Sequence, residues 1–285
     1  MPELAPAVLV TGCSTGIGRA TALRLARSKR WTVYATARKL AAVADLRDQG
    51  ITPMFLDVTD ESSVVAATSA IEASHGQVDV LINNAGYSQS GAIETVPIDR
   101  VRKQFETNIV GLVRLTQLVL PAMRRHRRGR IVNLSSMGGR LTFPGGGIYH
   151  ATKYALEAIS DVLRFEVRGF GIKVVIIEPG LIRTEFARAA ESGMADLDDR
   201  DGAYAAFNAR VVEATNNAYT SGMAAKLSGS PDDVARVIER AISAARPRAR
   251  YTVSASATVF INQRRLLGDR AWDRFLRSAY PSPGE

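Results

Sequence analysis

Two side chains in the middle of the sequence have the types and spacing for acid–base chemistry. Tyr149 and Lys153, in the run YHATK, are four residues apart, so on a helix they share a face. A free phenol titrates near pH ~10, too high for ready proton exchange at neutral pH. An ammonium beside it favours the phenolate, and lowering the pKa by about three units takes roughly 4 kcal/mol of differential stabilisation. Tyr149 would then be general acid when a carbonyl is reduced and general base when an alcohol is oxidised. With eight tyrosines and six lysines in 285 residues, this spacing arises about 0.17 times by chance, so alone it is only modestly specific.

A second constellation stands near the start. The run TGCSTGIG carries Gly12, Gly16 and Gly18 directly after the apolar stretch AVLVT and before a helical pattern. Glycines let such a turn tighten and let backbone approach a pyrophosphate, whose charge favours a helix N-terminus. Ser14, Thr15 and Ile17 fill the same loop. In dinucleotide-binding units an acid about 20 residues further on commonly holds the ribose 2′-hydroxyl. Here the second strand ends YATARK, with Arg38 and no acid. A guanidinium pairs with a 2′-phosphate that a carboxylate would repel, so NADP(H) is expected over NAD(H). Asp57 and Val58, after the third strand, are placed to meet the adenine ring.

The elements that must position these groups alternate in type. Short β-branched runs at 7–11, 32–37, 52–58, 79–83, 130–135 and 173–178 are separated by helix-length segments, including 17–29, 61–75, 98–126 and 149–169. Continuous apolar strands alternating with helices suit a parallel sheet covered on both faces, with a ligand beyond the carboxyl ends of the strands. No Pro- or Ser-rich linker divides the chain, so residues 1–285 read as a single domain. Residues 185–229 read as a partly helical substrate flap and 255–285 as an amphipathic extension that docks on its own domain.

Four further motifs follow in order: NNAG at 83–86 with Asn108 beyond it, NLSS at 133–136, YHATK at 149–153 and PGLIRT at 179–184. With the glycine turn, this series resembles the short-chain dehydrogenase/reductases over roughly residues 5–250. CSTGIG and VYATARK look most like the NADP-linked branch that holds 17β-hydroxysteroid and retinol dehydrogenases. The resemblance implies an α/β fold with one doubly wound, Rossmann-type parallel sheet flanked by helices on both faces. It implies hydride exchange between NADP(H) and a hydrophobic alcohol, ketone or aldehyde. Ser136, 13 residues before Tyr149, would bond the substrate oxygen, with Ser135 the less favoured choice. Lys153 would also hold the nicotinamide ribose, and Asn108 would support a water relay to it. Asn84, Ala85 and Gly86 would line the cofactor cleft, and Pro179, Gly180 and Thr184 would flank the nicotinamide. Homodimers or homotetramers built on the helices near 98–126 and 149–169 are implied as well. Met137, Phe143 and Ile148 point to an apolar pocket.

Charge and composition test the rivals. The chain carries 37 Lys+Arg against 28 Asp+Glu, a net +9, with 46% hydrophobic residues. That is an ordinary globular balance, neither disordered nor fibrous. The run MRRHRRGR at 123–130 has five arginines but no interleaved aromatics, and at a helix end it complements the helix dipole. Specific nucleic-acid binding is therefore not expected. A cofactor-binding regulator or redox sensor would be expected to lose part of the set Asn108, Ser136, Tyr149 and Lys153, all of which are present. His75 and His150 lack ligand-spaced partners, so no metal site is expected. The most apolar segment, 108–123, carries Arg114 and Gln117 and reads as a half-buried helix rather than a membrane span. The lone Cys13 forms no internal disulfide, which suits a cytoplasmic protein, and its place in the glycine loop would open it to thiol reagents.

Overall fold

The computed structural model describes residues 5–185, 194, 197, 199 and 202–283. The first strand, β1 (Ala7–Val10), is buried throughout and feeds the glycine turn into α1 (Gly16–Arg27). There follow β2 (Thr32–Ala37), β3 (Thr52–Phe55), α2 (Glu61–His75) and β4 (Val80–Asn83). The next helical stretch is α3 (Ile98–Phe105), a π turn at Glu106–Val110 and α4 (Gly111–Arg125). β5 (Gly129–Leu134), α5 (Gly147–Glu166) and β6 (Ile172–Pro179) complete the portion foreseen from periodicity. Beyond residue 202 lie α6 (Ala205–Thr220), α7 (Gly222–Lys226), α8 (Pro231–Ser243), β7 (Arg250–Val253), α9 (Ala255–Leu266) and α10 (Asp269–Arg277).

The seven strands form one parallel sheet in the order β3-β2-β1-β4-β5-β6-β7. Side chains alternate across it, as the two-residue strand period requires. Val8, Val10 and Ile82 face one core with Leu25 of α1 and Ile238 of α8. Ala7, Leu9 and Leu81 face the other with Ile71 of α2 and Leu115 and Val119 of α4. Burial on both faces explains why β1 and β4 read as unbroken apolar runs. On the first face, Arg24 of α1 reaches Glu239 at 2.7 Å and Asp232 at 3.3 Å, tying α1 to α8. The direction of chain crossover reverses between β1 and β4, and this switch point opens a crevice at the carboxyl edge.

Three differences from the sequence expectation have physical causes. The stretch 98–126 is not a uniform helix, because one extra residue per turn is accommodated at Glu106–Val110. β7 was not foreseen: its RYTV pattern is short, and Arg250 and Thr252 are there to satisfy buried carboxylates rather than to form a hydrophobic face. β3 ends at Phe55, short of the expected 58, and Asp57 and Val58 belong to the turn before α2.

Most of the 185–201 part of the expected flap lies outside the described residues, whereas 202–229 contributes α6 and α7. The C-terminal helices rest on their own chain: Ile261 and Trp272 pack with Met137, Leu141 and Leu181. Among the described residues no helix is long and apolar enough to cross a membrane. In the basic run, Arg127 donates to Gly169 O at 2.8 Å, Arg128 pairs with Asp79 at 3.4 Å, and Arg130 donates to Ala241 O at 2.9 Å. Arg124 lies 5.7 Å over the Phe170 ring. Arg124, Arg127 and Arg128 brace the end of α4 and the turn after it, and Arg130 ties β5 to α8.

Leu81 is fully buried in a central strand and Leu266 is 85% exposed. Leu81→Ala should therefore cost about 2–5 kcal/mol of unfolding free energy, while Leu266→Ala stays within about 0.5 kcal/mol. Urea denaturation followed by circular dichroism measures both.

Candidate active site

A cavity of about 1450 Å³ opens beyond the carboxyl ends of the central strands. Its floor begins with the glycine turn. Gly12 and Gly16 have φ of +72° and +57°, a left-handed backbone that side chains resist. A Cβ on Gly18 would collide with the Gly12 carbonyl, so α1 can approach the turn only as glycine. Asn84 Nδ2 donates to Thr11 O at 2.8 Å and to Gly12 O at 3.1 Å. Thr11 Oγ1 in return accepts from the backbone of Asn84 and Ala85 at 3.0 and 2.9 Å. The first loop and the NNAG loop are thus stitched into one wall.

Thr15 caps α1 in an extended conformation without a side-chain cap bond, and the first turn contains no acid. That leaves a helix N-terminus suited to an anion. Arg38 is exposed at the cavity rim and has no hydrogen-bond or ion-pair partner among the described residues. Arg100 and Lys103 line the same cavity, a positive contribution not singled out from sequence. Cys13 corrects an expectation: its thiol is buried, donates to Val10 O at 3.3 Å, and burial pushes it up to about 12, so it is closed to thiol reagents.

Ser136, Tyr149 and Lys153 converge on the cavity from β5's exit loop and from α5. Ser136 Oγ accepts from Gly138 N at 3.0 Å and donates to Pro179 O at 3.5 Å, and it acts on the Tyr149 phenol by lowering its pKa. Lys153, only 8% exposed, donates to Leu134 O at 2.6 Å and stands 5.7 Å from the Tyr149 ring centroid. Burial dominates both titrations. The phenol is pushed up to about 12 despite the opposing effect of Ser136, and the ammonium is pushed down to about 8 despite the Glu157 charge. The expected lowering of Tyr149 by Lys153 is therefore reversed, because the ammonium addresses a carbonyl and the ring face while both groups are dehydrated.

Asn108 sits in the π turn, buried behind the cavity wall rather than on it. Its amide accepts from Tyr87 N at 3.2 Å and donates to Tyr87 O at 3.0 Å and Thr152 Oγ1 at 3.1 Å. Gln104, four residues earlier, clamps the same loop by donating to Tyr87 O at 2.7 Å and accepting from Gln89 N at 2.8 Å. Of the other expected residues, Ser14, Thr15, Ile17, Asp57, Val58, Asn84, Ala85, Gly86, Pro179, Gly180 and Thr184 line the cavity, while Gly18 supports it from beneath. Met137 and Phe143 line it but Ile148 does not. Tyr219, in the expected flap, lines the cavity, while sequence reasoning did not bring Phe260, Phe275 and Tyr280 to it; these arrive from the C-terminal segment. Burial raises the Tyr219 phenol, with a further contribution from nearby Tyr149.

With this geometry in view, the chain's relationships are informative. Residues 6–195 match the short chain dehydrogenase family, and the protein belongs to it as an oxidoreductase. It is 35% identical to human retinol dehydrogenase 8 over 252 residues, covering 84% of this chain and 78% of that one. A solved short-chain dehydrogenase from Streptomyces avermitilis superposes with a TM-score of 0.75 at 32% identity, covering 97% of each chain. A serine dehydrogenase solved in a closed form with NADP+ gives 0.74 at 26% identity, covering 87% of this chain and 94% of that one. The family uses NAD(P), and the residues here fit such a group: a left-handed glycine turn at an acid-free helix start, opening into the cavity.

His150 ties the site to pH. Its Nδ1 donates to Gly138 O at 2.9 Å and its Nε2 accepts from Phe143 N at 3.1 Å, which assigns the neutral ring. Burial lowers its pKa. A base with a lowered folded pKa contributes stability that is present above its unfolded value, about 6.5, and lost as pH falls below it. Between pH 8 and 5 the wild type should lose stability more steeply than His150→Gln, by up to about 1.4 kcal/mol per pH unit. Urea midpoints across that range check the difference.

Proposed function

We propose that the protein is an NADP(H)-dependent oxidoreductase that interconverts a hydrophobic secondary alcohol and ketone, or alcohol and aldehyde. The observation that carries this reading is the convergence of Ser136, Tyr149 and a buried Lys153 on the same cavity as the glycine turn. The nicotinamide supplies or accepts the hydride. Tyr149 delivers a proton to the substrate oxygen, and Ser136 donates a hydrogen bond to that oxygen as charge grows on it. A phenol that keeps its proton at neutral pH is in the form that donates to a carbonyl oxygen. Lys153, beside the Tyr149 ring, would hold the nicotinamide ribose when the cofactor is bound. Asn108 acts by pinning the Tyr87 loop and Thr152, whose hydroxyl donates to Tyr149 O at 2.7 Å.

Arg38 supports NADP(H): a guanidinium at the rim, unmatched by any acid at the end of β2, suits a 2′-phosphate. Phe143, Phe260 and Phe275 support an apolar substrate, because bulky apolar walls dehydrate an apolar ligand. Retinol dehydrogenase 8, named for such an alcohol, is consistent with it. The exposed apolar residues Val110, Tyr154, Val162 and Phe165 on α5 and the adjoining π turn suit contact with a second copy of the chain. A single buried cysteine suits a reducing cytoplasm.

A panel of ketones and alcohols, with NADPH consumption as readout, tests the activity. Tyr149→Phe should reduce turnover by at least about 10²-fold while NADPH binding, read by its fluorescence, is retained. Full activity in that variant would remove the acid–base assignment. Arg38→Ala should weaken NADPH by about tenfold or more while leaving NADH affinity nearly unchanged, since one charge-assisted pair contributes about 1.5–3 kcal/mol. Equal losses for both cofactors would remove the basis for NADP(H).

A further inference from the structure

Directly behind the site lies a buried chain of charges that the reaction as described does not use. Glu157 follows Lys153 by one turn of α5 and is only 6% exposed. Arg250 of β7 donates to Glu157 Oε2 at 2.9 Å and to Asp161 Oδ2 at 2.6 Å, and its Nε stands 3.5 Å from Glu178 Oε1. Glu178 of β6, 3% exposed, accepts from Arg140 at 2.9 Å and from Thr252 Oγ1 at 3.1 Å. Close packing holds the inner end together. A Cβ on Gly139 would come within 2.9 Å of Glu157 Cγ, 3.0 Å of Lys153 O and 2.8 Å of Ser135 Oγ. A carboxylate buried this deeply needs partners, and Arg250 is an ion-pair partner on one side only.

We propose that Glu157 is a positioning residue for Lys153: through it the Arg140–Glu178–Arg250 network keeps the lysine an ammonium, seated on Leu134 O at the foot of the cleft. The proposal rests on the acid–base reading of Tyr149 and Lys153 given above. The titratable, charged and polar groups on the elements packed about α5 at this point are few. On α5 stand the Tyr149 phenol and Glu157, together with His150, which is held neutral. From β5 and its exit loop come Leu134 O, the hydroxyls of Ser135 and Ser136, and Arg140. β6 offers Glu178 and β7 offers Arg250. In the immediate set, Glu157 is the anion one helical turn from the lysine, and its charge opposes the burial that drives Lys153 toward the neutral amine. Burial raises Glu157 itself and Arg250 opposes the rise, while Glu157 Oε1 and Ser135 Oγ are buried without a hydrogen-bond partner among the described residues.

The test reads the lysine directly. There are six lysines, so trace labelling of the whole protein with acetic anhydride across pH 6–10, resolved by peptide mass spectrometry, gives a titration for Lys153 with Lys29, Lys39, Lys103, Lys173 and Lys226 as internal references. In Glu157→Gln the Lys153 half-titration should move down by about one pH unit while the other five stay put. The alkaline limb of kcat/KM with NADPH should move with it, so that the variant recovers toward wild type as pH falls. Glu157→Asp keeps the charge, one methylene further back, and should shift Lys153 in the same direction by less. Coincident Lys153 curves in wild type and Glu157→Gln would overturn the proposal, as would a uniform loss of activity at all pH. If the glutamine variant does not fold, the aspartate variant decides, and an unmoved Lys153 overturns the proposal. A wild type that turns over no substrate would instead remove the acid–base reading, while the labelling curves still report what Glu157 does to Lys153.

Discussion

The contact on which the rest of this site depends is the backbone approach between the glycine turn and the loop leaving β4. α1 starts where it does because Gly18 has no side chain to strike the Gly12 carbonyl. Asn84 then bridges from the neighbouring strand to Thr11 O and Gly12 O. A parallel sheet leaves its strand ends ragged, and these few hydrogen bonds turn two ragged ends into a continuous wall. The cavity and the exposed helix start follow from that wall, and β2, paired beside β1, carries Arg38 to its rim.

A second constraint is burial without an apolar solution. Lys153, Glu157 and Glu178 sit on or beside the sheet at 8%, 6% and 3% exposure. Each is kept there by a named partner: Leu134 O for the lysine, Arg250 for Glu157, and Arg140 with Thr252 for Glu178. Charge in such a place is costly unless paired, so the side chains around it have little freedom to change. The same dehydration moves Tyr149 and Lys153 toward their uncharged forms, setting the protonation states from which the chemistry starts. The net charge of +9 acquires a partial account here: Arg38 stands at the rim, Arg140 and Arg250 brace the buried acids, Arg127 and Arg128 brace the turn after α4, and Arg130 ties β5 to α8.

Much of the architecture was legible from local pattern. Strands buried on both faces leave unbroken apolar runs, and six of the seven strands were visible as apolar runs, the edge strand β3 among them although Thr52 and Phe55 are exposed. The glycine turn, NNAG, Ser136 and the Tyr149–Lys153 pair could be read because each is a short-range arrangement. A left-handed turn needs glycine within a few residues, and two side chains on one helix face need a spacing of four. What escaped was non-local. β7 contributes four residues with no apolar face of its own, and its arginine makes sense only opposite Glu157 and Glu178. Cys13 looked accessible by its place in a loop, yet that loop folds inward against Thr36 O, to which its amide donates at 2.8 Å.

By itself, then, the amino-acid order determined six of the seven strands, the turn, the residue types at the site and the family to which the chain belongs. Tertiary structure alone decided what those residues are like. Whether Tyr149 is raised or lowered depends on how much water α6, α9 and α10 leave beside it, and these helices arrive from more than 50 residues away. Whether Asn108 lines the cleft or pins Tyr87 depends on one extra residue in a helical turn. The physical reason is common to both cases. Conformational preference is encoded over a few neighbouring residues, whereas dielectric surroundings and hydrogen-bond partners are properties of the packed whole.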